Sequence, residues 1–117
     1  MRSLLIAALA LISSPVLAGE AEVVDATASR SGDTWRFSVT IAHGDTGWDH
    51  YANGWAVLLE DGTELGYRVL AHPHVNEQPF TRSLGGVAVP EGVTEVFIRA
   101  DDSVHGKGTA LFPLTLR

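Results

Sequence analysis

The sequence contains no cysteine. That excludes a disulfide framework, a thiolate metal ligand, a cysteine nucleophile and, within these residues, a lipid-bearing cysteine. Exported domains of this length often depend on disulfides, so this one is expected to rely on its core, on a ligand, or on both. Basic residues are scarce too: 8 Lys and Arg against 14 Asp and Glu give a formal net charge of -6. Nucleic acids and anionic membrane surfaces select basic patches, so neither is an expected partner, whereas a cation is. Sustained helical periodicity is missing, as are internal repeats and low-complexity segments. The long apolar run from Leu4 to Ile12 is too short for a membrane span. Met1-Arg2 precedes it and Val16-Leu17-Ala18 follows, which reads as a secretory signal peptide cleaved after Ala18. Residues 1–18 are therefore expected to be a leader. Residues 19–117 are expected to be one periplasmic or secreted domain without a membrane anchor.

What is present is a series of short β-like runs separated by turn signals, the pattern of an all-β sandwich. The clearest alternation places Trp35, Phe37, Val39 and Ile41 on one face and Arg36, Ser38 and Thr40 on the other. Seven strands are expected, at about 21–29, 34–42, 54–60, 64–70, 80–89, 94–100 and 109–116. Ser31-Gly32-Asp33, Asp61-Gly62 and Pro90-Glu91-Gly92 supply the tight turns. Pro113 in the last strand fits an edge position. The expected core combines Trp35, Phe37, Val39, Ile41, Trp55, Val57, Leu59, Val69, Leu84, Val96, Ile98, Phe112 and Leu114.

Connections in an up-and-down traversal alternate between the two ends of a sandwich. The first, third and fifth are short turns; the second, fourth and sixth are long and hold all five histidines. His43 and His50 fall in the second connection, His72 and His74 in the fourth, and His105 in the sixth. Asp45, Asp49, Glu77, Asp101 and Asp102 fall in the same loops. Loops carried on a rigid scaffold are where binding sites are built. Imidazoles with carboxylates suit a transition metal, copper or zinc ahead of iron. Within His72-Pro73-His74 the proline favours an extended backbone, so both imidazoles can face one side. All five histidines are candidate metal ligands. Asp49, Glu77, Asp102 and Arg82 are candidate supporting residues or alternative ligands, with Arg82 expected to pair with a carboxylate such as Glu77.

Two other readings stay open. Trp48 and Tyr51 offer a stacking platform for a carbohydrate or an exported protein partner in the same loops. Alternatively Asp45, Asp49, Asp101 and Asp102 form an oxygen-rich calcium site with the histidines incidental. No nucleophile–base pairing stands out, which favours binding, delivery or buffering of a metal over catalysis.

The strand pattern resembles immunoglobulin-like and fibronectin type III-like sandwiches, implying a seven-stranded antiparallel fold. Two loops resemble the iron domain of superoxide reductases (the desulfoferrodoxin family), also an immunoglobulin-like sandwich. His43-Gly44-Asp45-Thr46-Gly47-Trp48-Asp49-His50 is similar to that family's first histidine loop, and Ser103-Val104-His105-Gly106 to its last. The resemblance implies His43, His50 and His105 as ligands. It departs where the family places a cysteine three residues before the last histidine, because Asp102 stands there. The segment His72-Pro73-His74 followed by Gln78-Pro79-Phe80-Thr81-Arg82 also resembles small exported bacterial proteins of unknown function.

Overall fold

The alternation that runs through residues 35–41 continues two residues further than the hydrophobic pattern suggests. In strand β2 (Thr34–Ala42), Trp35, Phe37, Val39 and Ile41 are buried, and His43, the next position on that face, is buried as well. The computed structural model describes residues 19–117; the expected leader lies outside them. β2 pairs with β1 (Glu22–Ser31) and β5 (Phe80–Val87) in one antiparallel sheet, ordered β1-β2-β5. The second antiparallel sheet is built on β3 (Ala52–Leu58), with β4 (Glu64–Val69) on one side and β6 (Glu95–Asp102) on the other. Both β7 (Gly106–Lys107) and β8 (Phe112–Thr115) pair with β6. The described residues thus form an all-β sandwich with no helix, and so none among them long and apolar enough to cross a membrane.

Among the described residues the count is eight strands rather than the expected seven. Glu95–Ile98 of β6 pairs with β8, whereas Asp101 and Asp102 pair with β7. Between the two pairings Gly108 lies so close to the Ala100 carbonyl that any Cβ would collide with it, and the chain leaves the ladder there. β6 also extends two residues beyond its expected end, so Asp101 and Asp102 belong to a strand, not a loop.

Facing side chains of both sheets meet in a core that includes Phe37, Val39, Ile41, Trp55, Val57, Val96 and Ile98. Each such buried side chain contributes about 1.5–3 kcal/mol relative to an exposed one. Leu84, Phe112 and Leu114 are partly buried against this core. Two expected core residues differ. The β3–β4 register shifts between Val57 and Leu58, and Leu58 rather than Leu59 is buried. β4 ends at Val69, which is 65% exposed, and Leu70 turns inward as its N–H donates to the Asn53 carbonyl.

Candidate metal centre

The core-facing rows of the two sheets each end in a polar side chain. On β2 the row runs through Ile41 to His43; on β6 it runs through Val96, Ile98 and Ala100 to Asp102. Successive positions on one face of a strand lie two residues apart, so these two groups close the same end of the core from opposite sheets. His50 is brought to them by the loop after β2. The Thr46 N–H donates to the His50 carbonyl, the His50 N–H donates to the Gly47 carbonyl, and Gly47 takes a left-handed φ of 130°. That turn folds His50 back over His43, with ring centroids 4.7 Å apart.

His43 Nε2 stands 3.3 Å from His50 Nε2, which stands 3.2 Å from Asp102 Oδ1. Ligand-capable atoms of these three residues all lie within 4.8 Å of one another. On its other side, His43 Nδ1 lies 2.5 Å from Asp45 Oδ1. A carboxylate only accepts, so Nδ1 carries a proton, and in the neutral ring Nε2, 2.9 Å from the Gly19 carbonyl oxygen, is left with the lone pair. Asp45 is fully committed: its oxygens also accept the N–H groups of Ala52 at 3.1 Å and His74 at 2.7 Å.

Asp102 is almost wholly buried, and its Oδ1 accepts the N–H groups of Val104 and His105 at 2.8 and 2.7 Å. Burial works to raise its pKa, but those two N–H groups together with the His105 side chain outweigh it, and the carboxyl is held below its ordinary range. His105 Nδ1 lies 3.0 Å from Asp102 Oδ2, and its ring is 5.1 Å from that of His50. His105 itself is exposed, at the turn into β7.

The three long loops do meet: the Ser103 N–H donates to the Tyr51 carbonyl, Ser103 Oγ accepts from the Tyr51 N–H, and Gln78 Oε1 accepts from the His43 N–H. The five histidines nevertheless form two groups. His43, His50 and His105 gather around Asp102, whereas His72 and His74 form a neighbouring pair with centroids 4.8 Å apart. His74 stacks on Phe80 at 3.9 Å and accepts a hydrogen bond from Arg82 Nη2 at 3.0 Å. Burial first, then the charges of Arg82 and His72, push its pKa below the ordinary histidine value. Its Nδ1 is buried without a partner, while the His72 side chain is exposed. The two groups are joined through Asp45, which holds the His74 backbone and the His43 ring at once, and through Gln78, which accepts from the His43 N–H and donates to the His74 carbonyl.

Among the supporting residues, Arg82 pairs with Glu77 at 3.2 Å on the surface, where such pairs contribute little. Asp49 is exposed. Asp101 faces away from the histidines: it receives both a bidentate Arg99 contact, at 2.8 and 3.0 Å, and the Tyr67 hydroxyl at 2.8 Å. Trp48 is 68% exposed and meets Tyr51 edge-on at 5.4 Å. Sequence reasoning missed the positioning roles of Asp45 and Gln78. For Asp45 a signal existed, since it is two residues beyond His43 and four beyond Ile41 on one alternating row. For Gln78 there was none.

No family model matches the sequence. A protein of Halomicrobium mukohataei named "Putative lipoprotein" is 48% identical over 90 residues, a match that takes in 76% of this chain and 44% of that protein. The chain therefore spans less than half the length of this relative. In three dimensions the chain is similar to hypothetical protein PH1083 from Pyrococcus horikoshii OT3, with a TM-score of 0.56 and 16% identity, covering 89% of this chain and 94% of that one. At that identity the likeness is one of fold.

Proposed function

We propose that this is a small exported protein that binds a transition metal, copper or zinc ahead of iron, for binding, delivery or buffering rather than catalysis. The observation that carries the reading is the convergence of His43 Nε2, His50 Nε2 and Asp102 within 4.8 Å of one another at the rim of the core. With His43 Nδ1–H held by Asp45, this end of the sandwich can concentrate lone pairs on one point that a cation would satisfy. Two imidazoles with a carboxylate suit zinc or copper. A histidine oriented by a second carboxylate, as Asp45 orients His43, is how metal sites fix ring and tautomer. His105, beside Asp102, is the candidate fourth ligand. His72 and His74 buttress the site through Asp45 rather than ligate. The leader pattern and the relative's lipoprotein name support export, and the strand orders β1-β2-β5 and β4-β3-β6-β7 support an immunoglobulin-like reading of the sandwich.

A single proton on His50 satisfies the same geometry, and metal analysis separates the two. The protein purified from its exported compartment should retain copper or zinc, and the apo form should gain thermal stability when either is added. No retained metal and no thermal shift with copper, zinc or calcium would sink the reading. Replacing His43, His50 or Asp102 should each abolish binding, whereas His72→Ala should leave it intact. The calcium alternative loses Asp45 and Asp101 to other partners. Exposed Trp48, edge-on to half-buried Tyr51, favours one second reading, a carbohydrate surface, which a glycan screen tests.

A further inference from the structure

We propose that the α-amino group of Gly19, freed by removal of the leader, is an additional ligand of this metal and chelates it together with its own carbonyl oxygen. The inference rests on the metal-binding reading and deepens it by naming a ligand that belongs to the start of the mature chain.

The Gly19 carbonyl oxygen lies 2.9 Å from His43 Nε2. A carbonyl oxygen only accepts, so this contact needs a positive centre between the two atoms, either a proton on Nε2 or a metal ion. The segment is fastened in place by its next two residues. Glu20 Oε1 accepts the N–H and hydroxyl of Thr109 at 3.1 and 2.9 Å, and Ala21 is buried in the core cluster. The backbone of Gly19 is thereby held at the same ring nitrogen that the metal would use.

The chemistry of a terminal glycine completes the argument. Its amine nitrogen and carbonyl oxygen sit on adjacent carbons, so a cation that binds both closes a five-membered ring. Without a Cβ the residue turns freely into the required torsion. A free α-ammonium has a pKa of about 7.7–8.0, so at neutral pH the metal displaces one proton from it into solvent. The resulting nitrogen-rich set of His43, His50, Asp102 and the terminal amine suits copper(II) or zinc over calcium or magnesium.

The test uses the exported, mature protein, with Gly19 verified as its first residue by mass. Acetylating the α-amine near neutral pH spares Lys107, whose ammonium has a much higher pKa; peptide masses check this. The acetylated apo protein should melt at an unchanged temperature. It should bind copper(II) or zinc at least about tenfold more weakly, the lower end of what losing even an outer partner costs a metal site. Equal affinity of the acetylated and free forms, or a mature terminus other than Gly19, overturns the proposal and leaves the metal reading standing. Binding by neither form overturns both.

Discussion

Replacing Asp45 by asparagine removes one oxygen and one charge from the residue on which both histidine groups converge. Asp45 accepts from His43 Nδ1, from the Ala52 N–H and from the His74 N–H. The amide oxygen can keep His43 and Ala52, but its NH2 group then faces the His74 N–H, donor against donor. A buried donor left unpaired costs about 1–3 kcal/mol, and the two remaining bonds lose their charge assistance. Asp45→Asn should therefore destabilise the apo protein by about 2–4 kcal/mol. For a domain near 100 residues that lowers Tm by roughly 10–20 °C. Urea unfolding should show the same loss with an unchanged m-value. Because His43 is then oriented by a neutral amide oxygen in place of a carboxylate, metal affinity should also fall, by up to roughly 10–100-fold. Asp49→Asn is the control: that carboxylate is exposed, and its loss should stay within about 0.5 kcal/mol. An Asp45→Asn protein as stable as the control would refute the reasoning. One that is destabilised yet binds metal normally would refute the orienting role alone.

Three further outcomes are expected. Asp101→Ala leaves Arg99 buried without its bidentate partner, and should cost about 3–5 kcal/mol in urea unfolding. Gly54→Ala builds a Cβ into the Tyr67 ring and hydroxyl, and should lower apo stability by about 1–3 kcal/mol, with Tyr67→Phe failing to rescue it because ring atoms clash too. Acid should destabilise the apo protein in two stages. His74 has a folded pKa below its unfolded value of about 6.5, so the unfolded chain binds the proton first and stability falls as pH drops below that value. Asp102, with a folded pKa below 3.8, contributes stability above that value that is lost as pH falls through its folded pKa. His74→Gln should flatten the decline of the urea midpoint between pH 7 and 5, by at most about 1.4 kcal/mol per pH unit; an unchanged slope would exclude His74 as its source.

Strand β2 was legible from its period-2 alternation alone, because a half-buried strand writes its two faces into successive residues. So was the collection of histidines into alternate connections, since turn residues mark where strands end and parity follows from their number. The same alternation, carried past the apolar residues, already contained His43 after Ile41 and Asp102 after Ala100, although Asp102 reads locally as a loop residue. The tertiary structure alone decided which of these groups meet. His72-Pro73-His74 has the strongest local signal, and its proline does set the two rings side by side. Yet a dihedral preference says nothing about where a loop packs, and Phe80, Arg82 and Asp45 hold this pair apart from the centre. His43 and Asp102 are 59 positions apart in sequence and adjacent only because the two sheets pack face to face. The placing of Gly19 against His43 depends likewise on Thr109 and the core, partners that no local pattern names.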